Sequence, residues 1–267
     1  MKFALGIIGC GVMANAILDG ILNKKLISAD RIAAYDIDDD KMDYISRKGV
    51  IKAQSANQLI YESEIVMLAV KPQHYSDILK NGDFSNTRTL ISIMAGVKTS
   101  VLREKIGSKL LGIARVMPNT PCKIGEGFSA LYFDNVNNAD KEFVKNIFQS
   151  CGETITIAEE KFDAVTSVSG SGPAYVYMFL NGMIKGGMEG GLTYEQAKAM
   201  AVNTVIGAAK LAKMSEIKLD DLIEMVCSKG GTTIEAVNIY RQKGLEDIIA
   251  EGIKACRKKS ILLSENL

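Results

Sequence analysis

The chain has 267 residues, of which 47% are hydrophobic and 24% charged, and no apolar run approaches the roughly 18 residues of a membrane span. Lysine and arginine number 32 against 31 aspartates and glutamates, a balance that argues against a nucleic-acid or anionic-membrane partner. The five cysteines have no CxxC spacing and there is one histidine. We therefore expect no metal site and no disulfide framework, and we expect a reducing, cytoplasmic location.

Short apolar runs alternate with amphipathic stretches along the first half of the chain. They predict five strands, at 3–9, 31–36, 64–70, 89–94 and 110–117. Because this alternation is typical of βαβ units, it predicts an α/β domain with a doubly wound parallel sheet over residues 1–160. After residue 160 the strand signals stop, and the sequence predicts an all-helical domain over 161–267. Its helical stretches are 172–190, 193–213, 218–227, 232–242 and 245–264.

The first of these helices is rich in glycine, with Gly182, Gly186, Gly187, Gly190 and Gly191 in or beside it. Each interior glycine costs a helix about 1 kcal/mol relative to alanine. Such a helix needs close support from a neighbour, which favours tight helix packing, between two chains of a homodimer.

The first strand leads directly into a glycine turn and then a helix. The turn residues are Gly9, Cys10, Gly11, Val12, Met13 and Ala14. This G-x-G-x-x-A spacing is typical of dinucleotide-binding turns, in which the second glycine lets the backbone approach a pyrophosphate. Asp36 ends the second strand, where it would either accept hydrogen bonds from the ribose of NAD or cap the next helix.

Two proline-containing loops follow predicted strands, AVKPQ at 69–73 and RVMPNTP at 115–121. The carboxyl ends of parallel strands are where doubly wound sheets bind ligands, so both loops are candidates for the cofactor cleft. Asn119 would either bond a nicotinamide amide or hold its own turn, and the spacing leaves both roles open.

The segment VCSKGGTTIE at 226–235 reads as the start of a helix. Helix N-termini carry unpaired N–H groups that attract anions. The alternative is a simple cap, in which Thr232 or Thr233 closes the first turn and the glycines make the bend.

Five segments of the chain occur in the order found in pyrroline-5-carboxylate reductases. They are GCGVMA at 9–14, AVKPQ at 69–73, MPNTP at 117–121, VSGSGPAYVY at 168–177 and CSKGGTTIEA at 227–236. The chain resembles this family from residue 3 to about residue 260. The resemblance implies an N-terminal Rossmann domain and a C-terminal helical domain that interlocks in a dimer, with larger rings of dimers also known in the family. It implies an active site between one chain's cofactor and the other chain's helices. The expected reaction is hydride transfer from NAD(P)H to the cyclic imine 1-pyrroline-5-carboxylate, giving L-proline.

The resemblance also implies roles for individual residues. The N–H groups around Gly231 and Thr232 would hold the substrate carboxylate, the Thr233 hydroxyl would face the ring nitrogen as the catalytic group, and Ser228 and Glu216 would lie beside the substrate. Besides the turn residues 9–14, the predicted cofactor-binding residues are Asp36, Asn57, Ala69, Val70, Lys71, Pro72, Ala95, Gly96 and Asn119.

This chain departs from the family pattern in several places. Lys229 replaces the proline of SPGGTT, and Asn181 and Lys185 stand where acidic residues are common. Asp36-Ile37-Asp38 replaces an Asn-Arg-Ser/Thr stretch that suits the NADP phosphate, so Asp36 favours NADH, although Lys41 would offset this. The departures leave open a paralogue that reduces another cyclic imine acid.

Two other functions compete with this reading. A β-hydroxyacid dehydrogenase would need a catalytic lysine where this chain has Val176. A nucleotide-binding regulator without turnover would resemble the enzyme, and an assay is needed to separate them. His74 is predicted to be a surface loop residue, because a protonated imine accepts hydride without a strong enzymic acid.

Overall fold

The computed structural model describes residues 2–107 and 111–265 of the chain. By their internal contacts, the residues divide into two compact units, Met1–Ser171 with Cys256–Leu267, and Gly172–Ala255. This division falls after Ser171, and the predicted domain boundary after residue 160 stays a prediction.

The first unit is built on one eight-stranded sheet with the strand order β3-β2-β1-β4-β5-β6-β7-β8. The strands are β1 Phe3–Ile8, β2 Ile32–Tyr35, β3 Ile51–Lys52, β4 Ser63–Leu68, β5 Thr89–Ser92, β6 Gly112–Met117, β7 Gly127–Asp134 and β8 Gly152–Thr156. Strands β1 to β6 are mutually parallel in the order 3-2-1-4-5-6, which is the order of doubly wound dinucleotide-binding sheets. The predicted Rossmann sheet is confirmed.

Helices cover both faces of this sheet. They are α1 Val12–Asn23, α2 Asp39–Ser46, α3 Ala56–Glu62, α4 Tyr75–Asn81, α5 Thr99–Ile106, α6 Asn138–Gln149 and α7 Phe162–Val165. Along β4, Ile65 and Met67 pack into the buried cluster that includes α1 and α6, whereas Val66 and Leu68 pack into the cluster with α3, α4 and α5. Successive strand residues point to opposite faces, so a strand buried on both faces reads as one continuous apolar run.

The strand predictions were incomplete. The five predicted strands correspond to β1, β2, β4, β5 and β6, and the first residue of the predicted strand 110–117 lies outside the described ranges. Strands β3, β7 and β8 were missed. The sheet is also not wholly parallel, because β7 runs antiparallel to β6 and β8 runs parallel to β7.

The second unit is helical, as predicted. Its helices are α8 Gly172–Glu189, α9 Tyr194–Met214, α10 Leu219–Val226, α11 Thr232–Gln242 and the first half of α12 Leu245–Glu265, whose C-terminal end belongs to the first unit. Over the described part of the chain, no helix combines the length and the apolar character that crossing a membrane requires.

The second unit buries little of its own apolar surface. Its buried cluster consists of Ile184, Ala197 and Ala201. By contrast, Met178 is 74% exposed and Met214 is 84% exposed, and both lie on long helices. Exposed apolar surface of this extent on a globular protein marks an interface.

Candidate functional site

The glycine turn after β1 packs closely between the ends of the two neighbouring strands, β2 and β4. The N–H of Gly9 donates to the carbonyl of Tyr35 at 2.8 Å, and a β-carbon on Gly9 would lie 2.7 Å from the carbonyl carbon of Ala69 and 2.8 Å from the nitrogen of Val70. Gly9 also has a φ of 94°, in the left-handed region. Only glycine satisfies both conditions.

Gly11, unlike Gly9, has open space around it. It is the N-cap of α1, and a β-carbon built on it would meet no heavy atom within 4 Å. No side chain caps this helix and its first turn contains no acidic residue. The N-terminus of α1 is therefore open to an anion, which the helix dipole and the first N–H groups favour.

Asp36 is tied to the same turn. Its Oδ2 accepts a hydrogen bond from the N–H of Cys10 at 2.7 Å, and its Oδ1 accepts one from the N–H of Asp38 at 3.0 Å. Asp38 is the N-cap of α2, so the alternative role of helix cap belongs to Asp38 and not to Asp36. The carboxylate of Asp36 is 11% exposed, and it therefore places a fixed, largely buried negative charge beside the glycine turn.

The charge of Asp36 raises the pKa of two neighbouring side chains, Lys41 and Cys10. Lys41 Nζ lies 3.0 Å from Asp38 Oδ2 and 3.7 Å from Asp36 Oδ1. The hydrogen bond to Asp38, and then the charge of Asp36, raise the pKa of Lys41. Burial, followed by the charge of Asp36, raises the pKa of the Cys10 thiol to about 12, so this thiol stays neutral.

Asn15 contributes to the turn although the sequence did not point to it. Its Nδ2 donates to the carbonyl of Cys10 at 2.8 Å and to the carbonyl of Gly11 at 3.1 Å. Lys48 Nζ lies 3.4 Å from Asn15 Oδ1 and 2.5 Å from Asp19 Oδ1. Cys10 is thus held at both backbone polar atoms, its N–H by Asp36 and its carbonyl by Asn15. The only signal in the sequence is an asparagine four residues after a helix cap, where its side chain reaches the i−4 carbonyl.

Other predicted cofactor residues lie at the carboxyl edge of the parallel strands. Ala69 to Pro72 follow β4, and Ala95 with Gly96 forms the turn after β5. In the turn itself Val12 and Met13 begin α1, while Ala14 is buried against the sheet. Asn57 lies in the first turn of α3, and its Oδ1 accepts the N–H of Asp83 at 2.9 Å.

Asn119 follows β6 and uses both ends of its amide. Its Oδ1 accepts the N–H of Phe128 at 2.9 Å, and its Nδ2 donates to the carbonyl and to the Oγ of Ser169, both at 3.3 Å. It therefore joins the loop after β6 to β7 and to the segment before α8.

In the second unit, the two glycines shape the start of α11. Gly230 has a φ of 74°, and Gly231 is the N-cap of α11. No side chain caps this helix, so the alternative in which Thr232 or Thr233 closes the turn was wrong. The N–H of Gly231 donates to the carbonyl of Ser228 at 2.9 Å. The first-turn donors that follow it are the N–H groups of Thr232 and Thr233.

The charges around this helix start are mixed. Lys229 is exposed two residues before the N-cap, and Glu235 is an acidic residue in the first turn. Arg241 of α11 pairs with Glu224 of α10 at 2.8 Å, which holds together the two helices that flank the turn. Glu216 is exposed in the loop between α9 and α10.

Two positions bear on proton transfer. His74 is exposed just before α4, which confirms it as a surface residue. Val176, at the position where a β-hydroxyacid dehydrogenase would need its lysine, is partly exposed on α8.

Two family models match the chain. A model described as pyrroline-5-carboxylate reductase dimerisation matches residues 159–263, and one described as NADP oxidoreductase coenzyme F420-dependent matches residues 4–96.

Relatives match over the full length. A pyrroline-5-carboxylate reductase of Synechocystis is 35% identical, covering 97% of this chain and 98% of its own. One of Escherichia coli is 34% identical and covers 100% of both chains. The crystal structure of Plasmodium falciparum pyrroline carboxylate reductase with NADP bound is similar at a TM-score of 0.89, with 31% identity and 99% of each chain covered. The chain therefore belongs to the pyrroline-5-carboxylate reductase family of NAD(P)H-dependent oxidoreductases.

Proposed function

We propose that the chain reduces 1-pyrroline-5-carboxylate to L-proline with a hydride from NAD(P)H. The observation that carries this proposal is the full-length relationship to pyrroline-5-carboxylate reductases, at 35% identity to the Synechocystis protein. The glycine turn of the first unit and the uncapped start of α11 in the second supply the two kinds of anion site that the reaction needs.

The first unit fits a nicotinamide dinucleotide. Gly11 leaves open space at the uncapped N-terminus of α1, where the pyrophosphate would approach the backbone. Predicted cofactor residues after β4 and β5 lie at the same edge of the sheet. When bound, the cofactor supplies the hydride that adds to the carbon of the imine C=N bond.

The same site favours NADH over NADPH in our proposal. The carboxylate of Asp36 is fixed by two backbone N–H groups, close to where the 2′-phosphate of NADPH would lie. Like charges a few ångströms apart and partly desolvated cost on the order of 1–4 kcal/mol. Lys41 opposes this effect, but its ammonium group is already paired with Asp38 and Asp36.

The second unit would bind the imine acid. We assign the substrate carboxylate to the start of α11, where the N–H groups of Thr232 and Thr233 point out of the first turn. Binding through the N–H of Gly231 would require its bond to Ser228 to open. Lys229 would add a favourable charge, and Ser228 and Glu216 would flank the ring.

Thr233 would orient the reacting nitrogen. In the protonated imine this nitrogen carries an N–H, which donates to the Thr233 hydroxyl. Hydride addition to the neighbouring carbon then moves the C=N π electrons onto nitrogen and gives a neutral secondary amine, so one hydride and one proton are consumed per turnover. The chain needs to supply orientation and one hydrogen bond rather than a strong acid.

We propose that the chain works as a homodimer in the cytoplasm. The family model for dimerisation matches the helical region, and the exposed methionines of α8 and α9 have no cover within the second unit. All five cysteines are free thiols, which suits a reducing compartment. Sedimentation would also detect any assembly of dimers into larger rings.

The test is cofactor oxidation by the purified chain. Loss of NADH or NADPH absorbance should depend on added 1-pyrroline-5-carboxylate, and proline should appear in equal amount. A six-membered imine acid and a β-hydroxyacid with NAD+ are parallel substrates for the paralogue and dehydrogenase alternatives. Cofactor binding without turnover of any of these substrates would favour the regulatory alternative and contradict the proposal.

A further inference from the structure

The VSGSGP segment has no role in the proposed reaction, yet it forms an unusual turn. Residues Thr166–Gly170 are a π-helix between α7 and α8, and the N–H of Ser171 donates to the carbonyl of Thr166 at 2.9 Å, five residues back. Such turns insert one extra residue into a helix and occur frequently at functional sites. The turn is less favourable than regular helix, so neighbouring groups must hold it.

Two residues from the end of β6 hold this π turn. Asn119 Nδ2 donates to both the carbonyl and the hydroxyl of Ser169. The Cε of Met117 packs so closely on Gly170 that a β-carbon there would lie 2.5 Å from it. Both contacts come from the strand end and loop that the MPNTP motif forms.

The segment before the π turn has an anchor of its own. Arg115 of β6 pairs with Glu159 at 3.0 Å, and its guanidinium lies 4.6 Å from the ring centre of the buried Phe162. Glu159 also accepts the N–H and the hydroxyl of Thr99, at 2.8 and 2.9 Å. Loss of Asn119 would therefore loosen the π turn without releasing the chain that precedes it.

The π turn lies at the part of the sheet edge that a nicotinamide would reach. Strands β4 and β5 separate β6 from β1, so the end of β6 is about 14 Å from the glycine turn along the edge. A dinucleotide that places its pyrophosphate at Gly11 extends along the carboxyl edge of the strands in this direction.

We propose that Asn119 is a positioning residue for the nicotinamide half of the cofactor. It acts through the π turn, which forms the wall beside the nicotinamide ring. In this proposal Asn119 acts through its bonds to Ser169 and Phe128 rather than by direct contact with the cofactor. This inference rests on the proposed dinucleotide cofactor and assigns a role to the VSGSGP segment.

The test compares ligands with and without a nicotinamide. We expect Asn119→Ala and Asn119→Asp to raise the Kd for NADH and NADPH about tenfold, while the Kd for ADP-ribose stays within about twofold. Asn119→Asp keeps the acceptor for Phe128 and loses the donor to Ser169, so its effect locates the loss at the π turn. These are binding measurements without imine, and they remain informative even if the chain does not reduce 1-pyrroline-5-carboxylate.

Asn137→Ala is the matched control. Asn137 also uses both amide ends, accepting the N–H of Asp140 at 2.9 Å and donating to its carboxylate at 2.8 Å. It follows β7, which is antiparallel to β6, so it lies at the opposite edge of the sheet. This variant should lose stability and keep the wild-type affinity for all three ligands.

Gly170→Ala separates action through the turn from direct contact. Its β-carbon would displace the terminal methyl of Met117, the end of a flexible side chain, while leaving Asn119 intact. We expect a selective loss of NADH affinity that is smaller than in Asn119→Ala, and a double variant that loses no more affinity than Asn119→Ala alone. The proposal would be overturned by additive losses in the double variant, by an unchanged NADH affinity in Asn119→Asp, or by an equal loss of ADP-ribose affinity.

Discussion

The carboxylate of Asp36 accepts the backbone N–H of Cys10 at 2.7 Å, so the residue that ends β2 holds the turn that follows β1. The same carboxylate is the proposed source of NADH preference. One residue therefore couples the shape of the glycine turn to the choice of cofactor, and a substitution there must be designed to separate the two effects.

Asp36→Asn removes the charge and keeps one acceptor, which can take the Cys10 N–H, but it gives up the second acceptor that the Asp38 N–H uses. We expect the ratio of kcat/KM for NADH to that for NADPH to fall about tenfold or more, since a like-charge repulsion is removed. The measurement is steady-state kinetics with both cofactors in wild type and variant. A wild type that prefers NADPH, or a ratio that does not move, would leave Asp36 with a structural role only.

Asp38→Asn is the matched control for charge. Asp38 is 42% exposed and caps α2, a role that asparagine fills equally well. The substitution removes the same formal charge near Lys41 from a more solvated position. We expect a clearly smaller change in the cofactor ratio than for Asp36→Asn, and an equal change would show that the effect is general electrostatics around Lys41.

Asn15 should matter for cofactor affinity and not for cofactor choice. Asn15→Ala removes the hydrogen bonds to the carbonyls of Cys10 and Gly11, which hold the turn. We expect the Kd for NADH and for NADPH to rise about three- to tenfold together. Asn203→Ala is the control, since its Nδ2 also donates to a carbonyl four residues back, that of Ala199 at 2.8 Å, but on α9. A changed NADH to NADPH ratio in Asn15→Ala would contradict the assignment.

Much of the sheet could be predicted because its inner strands are buried on both faces. Strands β1 and β4 read as continuous apolar runs, which periodicity detects. By contrast β8 is largely exposed and β3 has two residues, so neither contains a run that differs from a loop. Strand β7 follows the proline loop, and its antiparallel direction depends on pairing with β6 rather than on any local pattern.

The site was predictable only as far as its motifs are local. The glycine spacing fixes the turn within six residues of sequence. The bond from Cys10 to Asp36 spans 26 residues and that from Asn119 to Ser169 spans 50, and spacing does not tell which backbone group a distant side chain reaches. The π turn likewise depends on contacts from another element, so no local sequence pattern predicts it.

Alanine substitution at the two glycines of the turn, Gly9 and Gly11, should affect different properties, stability in one case and cofactor binding in the other. Gly9→Ala places a β-carbon against the backbone of Ala69 and Val70 at a positive φ, so we expect a loss of about 2–4 kcal/mol in the free energy of unfolding. Gly11→Ala meets no neighbour within 4 Å and should keep its stability but weaken cofactor binding. Urea unfolding and NADH titration of both variants check this. Equal stability of the two, or full NADH affinity in Gly11→Ala, would contradict it.

The exposed apolar surface of the second unit should be covered in a dimer. We expect the chain to sediment as a dimer or a multiple of dimers at micromolar concentration. Met178→Glu places a charge on α8 where the side chain is 74% exposed, and it should weaken the dimer at least about tenfold. Ile124→Glu is the control, since Ile124 is 78% exposed but belongs to the first unit. A monomeric wild type, or dissociation by both changes alike, would count against this interface.

Thr233→Ala should slow imine reduction while leaving cofactor binding intact. The proposed hydrogen bond joins the Thr233 hydroxyl to a charged ring nitrogen, and losing such a bond costs about 1.5–3 kcal/mol, a fall of roughly 10- to 150-fold in kcat/KM. Thr233→Ser keeps the hydroxyl and should recover most of the rate, whereas Thr233→Val keeps the shape and should not. The Kd for NADH should stay within about twofold of wild type in all three, because α11 belongs to the second unit and the glycine turn to the first. Since α11 starts without a side-chain cap, the loss of this hydroxyl should also leave the melting temperature nearly unchanged. An unchanged kcat/KM in Thr233→Ala, or full activity in Thr233→Val, would remove the hydroxyl from the mechanism.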